Sequence, residues 1–196
     1  MANLSGVRIG CAMTGSFCTF DRTFAAWEEL RRAGAELLPI MSFNAYELST
    51  RFMEAEEARR RFREITGKLI LHPLPDVEPL GPKKLVDLLI VLPCTGNTLA
   101  KLARGIADTP VTLAVKSVLR NGSPVLLGVS TNDGLSRNGE SIGILAREKH
   151  VFFVPYGQDD SEHKPGSLVA DFAQTTEAAE AALRGEQMEP RLARGR

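Results

Sequence analysis

Four short segments carry the groups that could do chemistry. Pro93-Cys94-Thr95-Gly96-Asn97-Thr98 breaks off an apolar run, and a helical pattern resumes directly after it. Thr14-Gly15-Ser16-Phe17, Ser42-Phe43-Asn44 and Ser130-Thr131-Asn132 interrupt apolar runs in the same way. Each offers hydroxyls or amides, and several stand where a helix must start. Neutral donors and free backbone N–H groups at a helix N-terminus bind phosphate or a small anion without a lysine. Gly10 and Gly15 have the wrong spacing for G-x-G-x-x-G, and no acidic residue closes the second apolar run to hold a ribose. There is no G-x-x-x-x-G-K-[ST], which excludes a P-loop. Cys94 precedes a helix N-terminus, where a thiol pKa falls, but no histidine stands in a matching motif; it reads as a small residue packed beside a ligand.

The elements that position these segments alternate. Val7–Met13 is a strand, and a helix over 21–33 places Phe24, Trp27 and Leu30 on one face before Gly34. Glu36–Met41 is a second strand, its Pro39 marking a peripheral position. Residues 53–66 form a charged helix whose glutamates precede its arginines, in the sense the helix dipole favours. The proline-rich stretch 68–82 reads as a shaped loop, and Asp87–Leu92 as a strand. Helices over 98–106 and 111–121, a strand at Pro124–Val129, a helix near 142–148, a strand at Val151–Val154 and a helix over 176–183 follow. This alternation means a mainly parallel sheet with helices on both faces, a three-layer α/β fold. Ligands in such sheets bind at the carboxyl ends of the strands, where all four segments fall. Residues 1–185 form one domain and 186–196 a polar, loose tail.

Lys plus Arg and Asp plus Glu number 24 each, which gives no nucleic-acid or membrane signal. The N-terminus lacks the basic and long apolar regions of a signal peptide, so the expectation is a cytoplasmic protein. Three cysteines and three scattered histidines have no metal-ligand spacing, and no metal is expected.

The segment Pro93–Asp108 resembles the P-x-[SA]-x-N-T-x-[AG]-K-x-A-x-G-x-x-D signature of the FMN-binding cysteine decarboxylases, departing only at Thr95. Together with Met13–Phe17 the likeness covers most of residues 5–155 and implies the Rossmann-like flavoprotein fold. Glu78–Lys84, Ser130–Gly143 and Phe153–Asp171 narrow it: the chain is similar to the B-subunit family of dipicolinate synthases over about residues 5–172. That resemblance implies an oxidoreductase component that converts dihydrodipicolinate to dipicolinate during sporulation, inactive without a separate NADP-binding A subunit. It also implies a homo- or hetero-oligomer.

By the same resemblance, FMN would sit against Thr14, Gly15, Ser16, Phe17, Ser42, Cys94, Thr95, Gly96, Asn97 and Thr98. Lys83, Lys84, Asn132 and Lys164 are expected contacts to a dicarboxylate, by charge or amide hydrogen bonds. The histidine that serves the decarboxylases would fall near Glu78-Pro79, where none is present, and His72 is too early. The P-x-M-N-x-x-M segment is replaced by Ser130–Leu135, so peptidyl-cysteine decarboxylation is not expected. A stand-alone FMN enzyme of the decarboxylase or prenyltransferase kind, and a non-catalytic binding subunit, remain the alternative readings.

Overall fold

The structure, a computed structural model, describes residues 3–192. Seven strands and eight α-helices alternate in chain order: β1 (Arg8–Met13), α1 (Phe20–Arg32), β2 (Glu36–Met41), α2 (Phe43–Glu47), α3 (Ala55–Thr66), α4 (Leu74–Val77), β3 (Leu88–Cys94), α5 (Gly96–Ala103), α6 (Pro110–Leu119), β4 (Val125–Thr131), α7 (Arg137–Leu145), β5 (Val151–Phe153), β6 (Tyr156–Gly157), β7 (Leu168–Ala170) and α8 (Thr175–Leu183). Strands β2, β1, β3, β4 and β5 are parallel neighbours in that order. One helical layer joins α1 to α3 and α8, and the other groups α4, α5, α6 and α7. The expected three-layer α/β architecture is therefore present.

The sheet is mainly parallel, as expected, and carries a short antiparallel extension that the sequence reading did not include: β5 pairs only with the first half of β4, and at Ser130 and Thr131 the antiparallel strand β7 takes over, with β6 outside it. These strands are two and three residues long, too short for a period-2 pattern to register. The proline-rich stretch is not merely a loop. Leu71 bridges to Ile40 at the outer edge of β2, then α4 and a 3-10 turn at Glu78–Leu80 pack on α6. Pro39 sits in β2, which is peripheral as its missing donor requires, and its carbonyl accepts from Leu71.

The core follows from the strands. Every residue of β3 is buried, as a central parallel strand covered on both faces must be. Between α1 and α3 the rings of Trp27 and Phe62 stack with centroids 6.3 Å apart, and Phe24 meets Phe62 edge-on at 6.1 Å. All three are fully buried. The charged side of α3 is a solvated lattice in which Arg60 pairs with Glu57 and Glu64 and Arg61 with Asp21. Exposed pairs of this kind add little stability.

The tail is not loose over its described part. The Gln187 carboxamide accepts from Phe153 N and donates to Phe153 O, both at 2.8 Å, and Tyr156 N donates to Arg191 O. Residues 193–196 lie outside the described residues. Phe62→Ala is expected to lower unfolding free energy by about 3–5 kcal/mol, measured by urea denaturation with Trp27 fluorescence as the signal.

Candidate functional site

The four strand-end segments meet at the carboxyl edge of the sheet, and hydroxyl groups stitch them together. Thr14, fully buried at the end of β1, donates from Oγ1 to Pro93 O at 2.7 Å and accepts from Thr95 N at 3.0 Å. Ser42 N donates to Met13 O, which brings the end of β2 against the end of β1. Ser16 and Ser130 join their hydroxyls at 2.8 Å and so tie the first segment to the fourth. Gly15 lies against the Phe17 ring and Asn44.

Several hydroxyls expected to face a ligand also close helices. The Ser42 side chain accepts from Ala45 N and caps α2. Thr95 caps α5, accepting from Thr98 N and sharing a hydrogen bond with the Thr98 hydroxyl. Each accepting hydroxyl still has its own proton to give: Ser42 has one, and the Ser16–Ser130 and Thr95–Thr98 pairs each keep one beyond the bond between them. The edge thus presents neutral donors next to helix N-termini, a donor set that fits a phosphate or the polar rim of a flavin. Asn97 is exposed on the first turn of α5, while Thr98 is buried.

The Cys94 side chain is fully buried, and burial pushes its thiol pKa well up. The sequence reading placed it as a small residue beside a ligand; the structure shows its side chain packed in the core. Lys101 and Asp108, both signature positions, form an ion pair with contacts of 2.8 and 2.9 Å across the turn after α5. Gly105 in that turn takes φ +69°, which glycine adopts without strain. These signature residues therefore build the end of α5 and do not face the edge.

A network that the sequence reading missed lies beneath Gly96. Asp133 accepts from the Thr131 hydroxyl and, at 2.8 and 2.9 Å, from Asn138 Nδ2. These bonds, the Thr131 one foremost, hold its carboxyl below the usual carboxylate range. A Cβ on Gly96 would collide with Thr131 Oγ1 and Asn138 Nδ2, so the start of α5 packs on this network with no room for a side chain. Helix α7 begins at Arg137, five residues before the point the sequence suggested, and that misplaced boundary hid Asn138.

The expected dicarboxylate contacts do not converge. Asn132 and Lys164 are exposed on neighbouring loops beside β7, where Leu135 N donates to Gly166 O. Lys83 and Lys84 are exposed on the turn that leads into β3, at the opposite edge of the sheet. Seven residues of β3, roughly 20 Å at strand rise, separate them from Thr95 within this chain. His72 belongs to the second segment's surroundings: its ring stacks on Tyr46 at 3.9 Å and meets Phe43 edge-on at 5.4 Å.

This geometry defines a flavoprotein-type α/β domain, and comparison with known proteins agrees. Residues 1–137 match the family model described as Flavoprotein, and the chain belongs to that family. Within it, the chain is 42% identical over 192 residues to the dipicolinate synthase B subunit of Bacillus subtilis (strain 168), covering 98% of this chain and 96% of that one. The crystal structure of the dipicolinate synthase B subunit from Bacillus halodurans matches with a TM-score of 0.90 and 38% identity, covering 98% of both chains. The FMN-dependent cysteine decarboxylase SpaF matches with a TM-score of 0.70 and 21% identity, covering 93% of this chain and 98% of that one. At that identity the likeness is of fold.

Two outcomes are expected. Thr14→Val orphans Thr95 N and removes the donor to Pro93 O, and should destabilise the fold by about 1–3 kcal/mol in chemical denaturation. Asp133→Asn should cost about 1–2 kcal/mol at pH 7. Because the folded carboxyl titrates below its ordinary value, its contribution is present above the usual carboxylate range and is lost as pH falls through the lowered value. The gap between wild type and variant should therefore close in thermal melts on the acid side.

Proposed function

We propose that this chain is the B subunit of a dipicolinate synthase. It would act with a separate NADP-binding A subunit to oxidise dihydrodipicolinate to dipicolinate in the mother cell of a sporulating bacterium. The observation that carries this reading is the 42% identity to a dipicolinate synthase B subunit along essentially the whole of both chains. A protein named as a subunit has a partner, which supports assembly with a second chain. No helix among the described residues is long and apolar enough to cross a membrane, in keeping with a reaction in the cytoplasm.

The carboxyl edge is the site we assign to the cofactor. Thr14 fixes the loops in place; Gly15, Ser16, Phe17 and Ser42 would form the phosphate side, and Thr95, Gly96, Asn97 and Thr98 the ring side. FMN bound there would supply two-electron redox chemistry. The family match and the FMN dependence of SpaF support that choice. The protein's part is to orient a flat ring and exclude water, which is what a positioned site contributes when the chemical step is strongly downhill. Loss of a hydride, with NADP as the final acceptor, and of a proton to solvent converts dihydrodipicolinate to an aromatic pyridine, so that condition is met. Asn132 and Lys164, exposed on loops beside β7, are the side chains we assign to a carboxylate, for which Lys164 would give up its long contact with Asp159 at 3.9 Å.

A second reading, a binding subunit without redox chemistry of its own, draws on the internal partners of Thr14, Ser42 and Thr95. One experiment separates the two. The purified chain is expected to show a flavin absorption spectrum, natively or after addition of FMN, and to support dipicolinate formation only when the A subunit, NADP and dihydrodipicolinate are supplied. Asn97→Ala should lower the activity of the complex at least about tenfold if the edge is catalytic. Full activity from a chain that takes up no flavin would establish the binding-subunit reading, and no activity in any combination would overturn both.

A further inference from the structure

On the other helical layer, a cavity opens between α6, the turn after α5 and the end of α7, above the buried first halves of β4 and β5. The opening is a half-enclosed cavity of about 500 Å3, within the range typical of small-molecule sites. Leu102, Ile106, Val115, Leu119, Leu145 and Val151 line it, and Ile106 is 45% exposed there. Its only hydroxyl, on Thr112, is engaged with Thr109 in the capping box of α6 and offers nothing to a ligand.

The charges at the rim are arranged asymmetrically. Lys116 and Arg120 are exposed one turn apart on α6, and neither has an ion pair or side-chain hydrogen bond among the described residues. Like charges at this spacing repel. The carboxyl end of α6 offsets that repulsion, but it does not account for a mainly apolar cavity whose lining includes both cations. Glu148 stands exposed at the end of α7, also without an ion pair among the described residues. A ligand carrying one anion meets two cations on α6, while a second anion would meet Glu148.

We propose that this cavity binds a small apolar monocarboxylate, aliphatic or aromatic. Its hydrocarbon body fills the slot over β4 and β5, and its carboxylate is held by Lys116 and Arg120. The single charge and the apolar body distinguish this ligand from the dicarboxylate proposed for the carboxyl edge. The cavity lies toward the amino ends of β4 and β5, so the inference does not rest on the flavin or synthase reading.

Isothermal titration of sodium octanoate into the full chain tests it, with sodium acetate as the head group alone and octan-1-ol as the uncharged chain. Octanoate is expected to saturate one site per chain, acetate not to bind, and octan-1-ol to bind about tenfold or more weakly than octanoate. Lys116→Gln with Arg120→Gln should weaken octanoate by about tenfold and leave octan-1-ol unchanged. Val115→Phe, which fills the slot, should abolish binding of both, and circular dichroism shows that each variant is folded. Absence of saturable octanoate binding would sink the proposal, as would octanoate affinity that survives both variants. Failure to bind octanoate, combined with dissociation of an assembly by the charge variant in light scattering, would make the groove a contact between copies and also overturn it.

Discussion

The arrangement of the carboxyl edge depends on one hydroxyl. The Thr14 hydroxyl donates a hydrogen bond to Pro93 O and accepts one from Thr95 N–H, so a single buried side chain satisfies both backbone groups where β3 turns into α5. Pro93 lies 79 residues from Thr14. The same separation holds at the other end of the pair, where Asp87 accepts from the Arg8 backbone and guanidinium. Strands β1 and β3 are thus pinned at both ends in one register. A slip of one residue would turn every buried side chain of β3 toward the wrong helical layer. The loops after β2 and β4 are referenced to this pair through Met13 and Ser16.

The electrostatics of the edge follow from what fills it. Its hydroxyls and helix N-termini are neutral donors, and the nearby carboxylate, Asp133, is already held by Thr131 and Asn138. A carboxylate satisfied in this way stays ionised and spends its acceptor capacity on the protein. It shapes the floor under Gly96 and leaves the rim free for an anionic or polar ring. Ion pairs away from the edge include Arg8–Asp87, Lys101–Asp108 and those along α3. Charge in this molecule mainly sets register and closes turns, while backbone dipoles and hydroxyls build the candidate binding surface.

Much of this could be read from the residues. The 3.6-residue period of α1 placed Phe24, Trp27 and Leu30 in the core, where all three are fully buried. The apolar runs located the main parallel strands, and strand-to-helix alternation fixed the layering. The Pro93–Asp108 signature identified the family, but it did not reveal which of its residues serve structure. Lys101 and Asp108 pair with each other, and Thr95 caps a helix, because a side chain's partner is decided by what the fold brings within hydrogen-bond reach.

Local pattern determined the main parallel strands, most of the longer helices, the buried face of α1 and the four polar segments, since propensity, periodicity and capping act over a few residues. Only the tertiary structure decided which segments meet. It joined Thr14 to Pro93 and Ser16 to Ser130 across 79 and 114 residues, and it set Lys83 and Lys84 at the far end of β3. It also added β6 and β7 as an antiparallel extension on the end of β4 that β5 leaves unpaired. Such contacts depend on strand order and crossover direction, which local pattern does not encode.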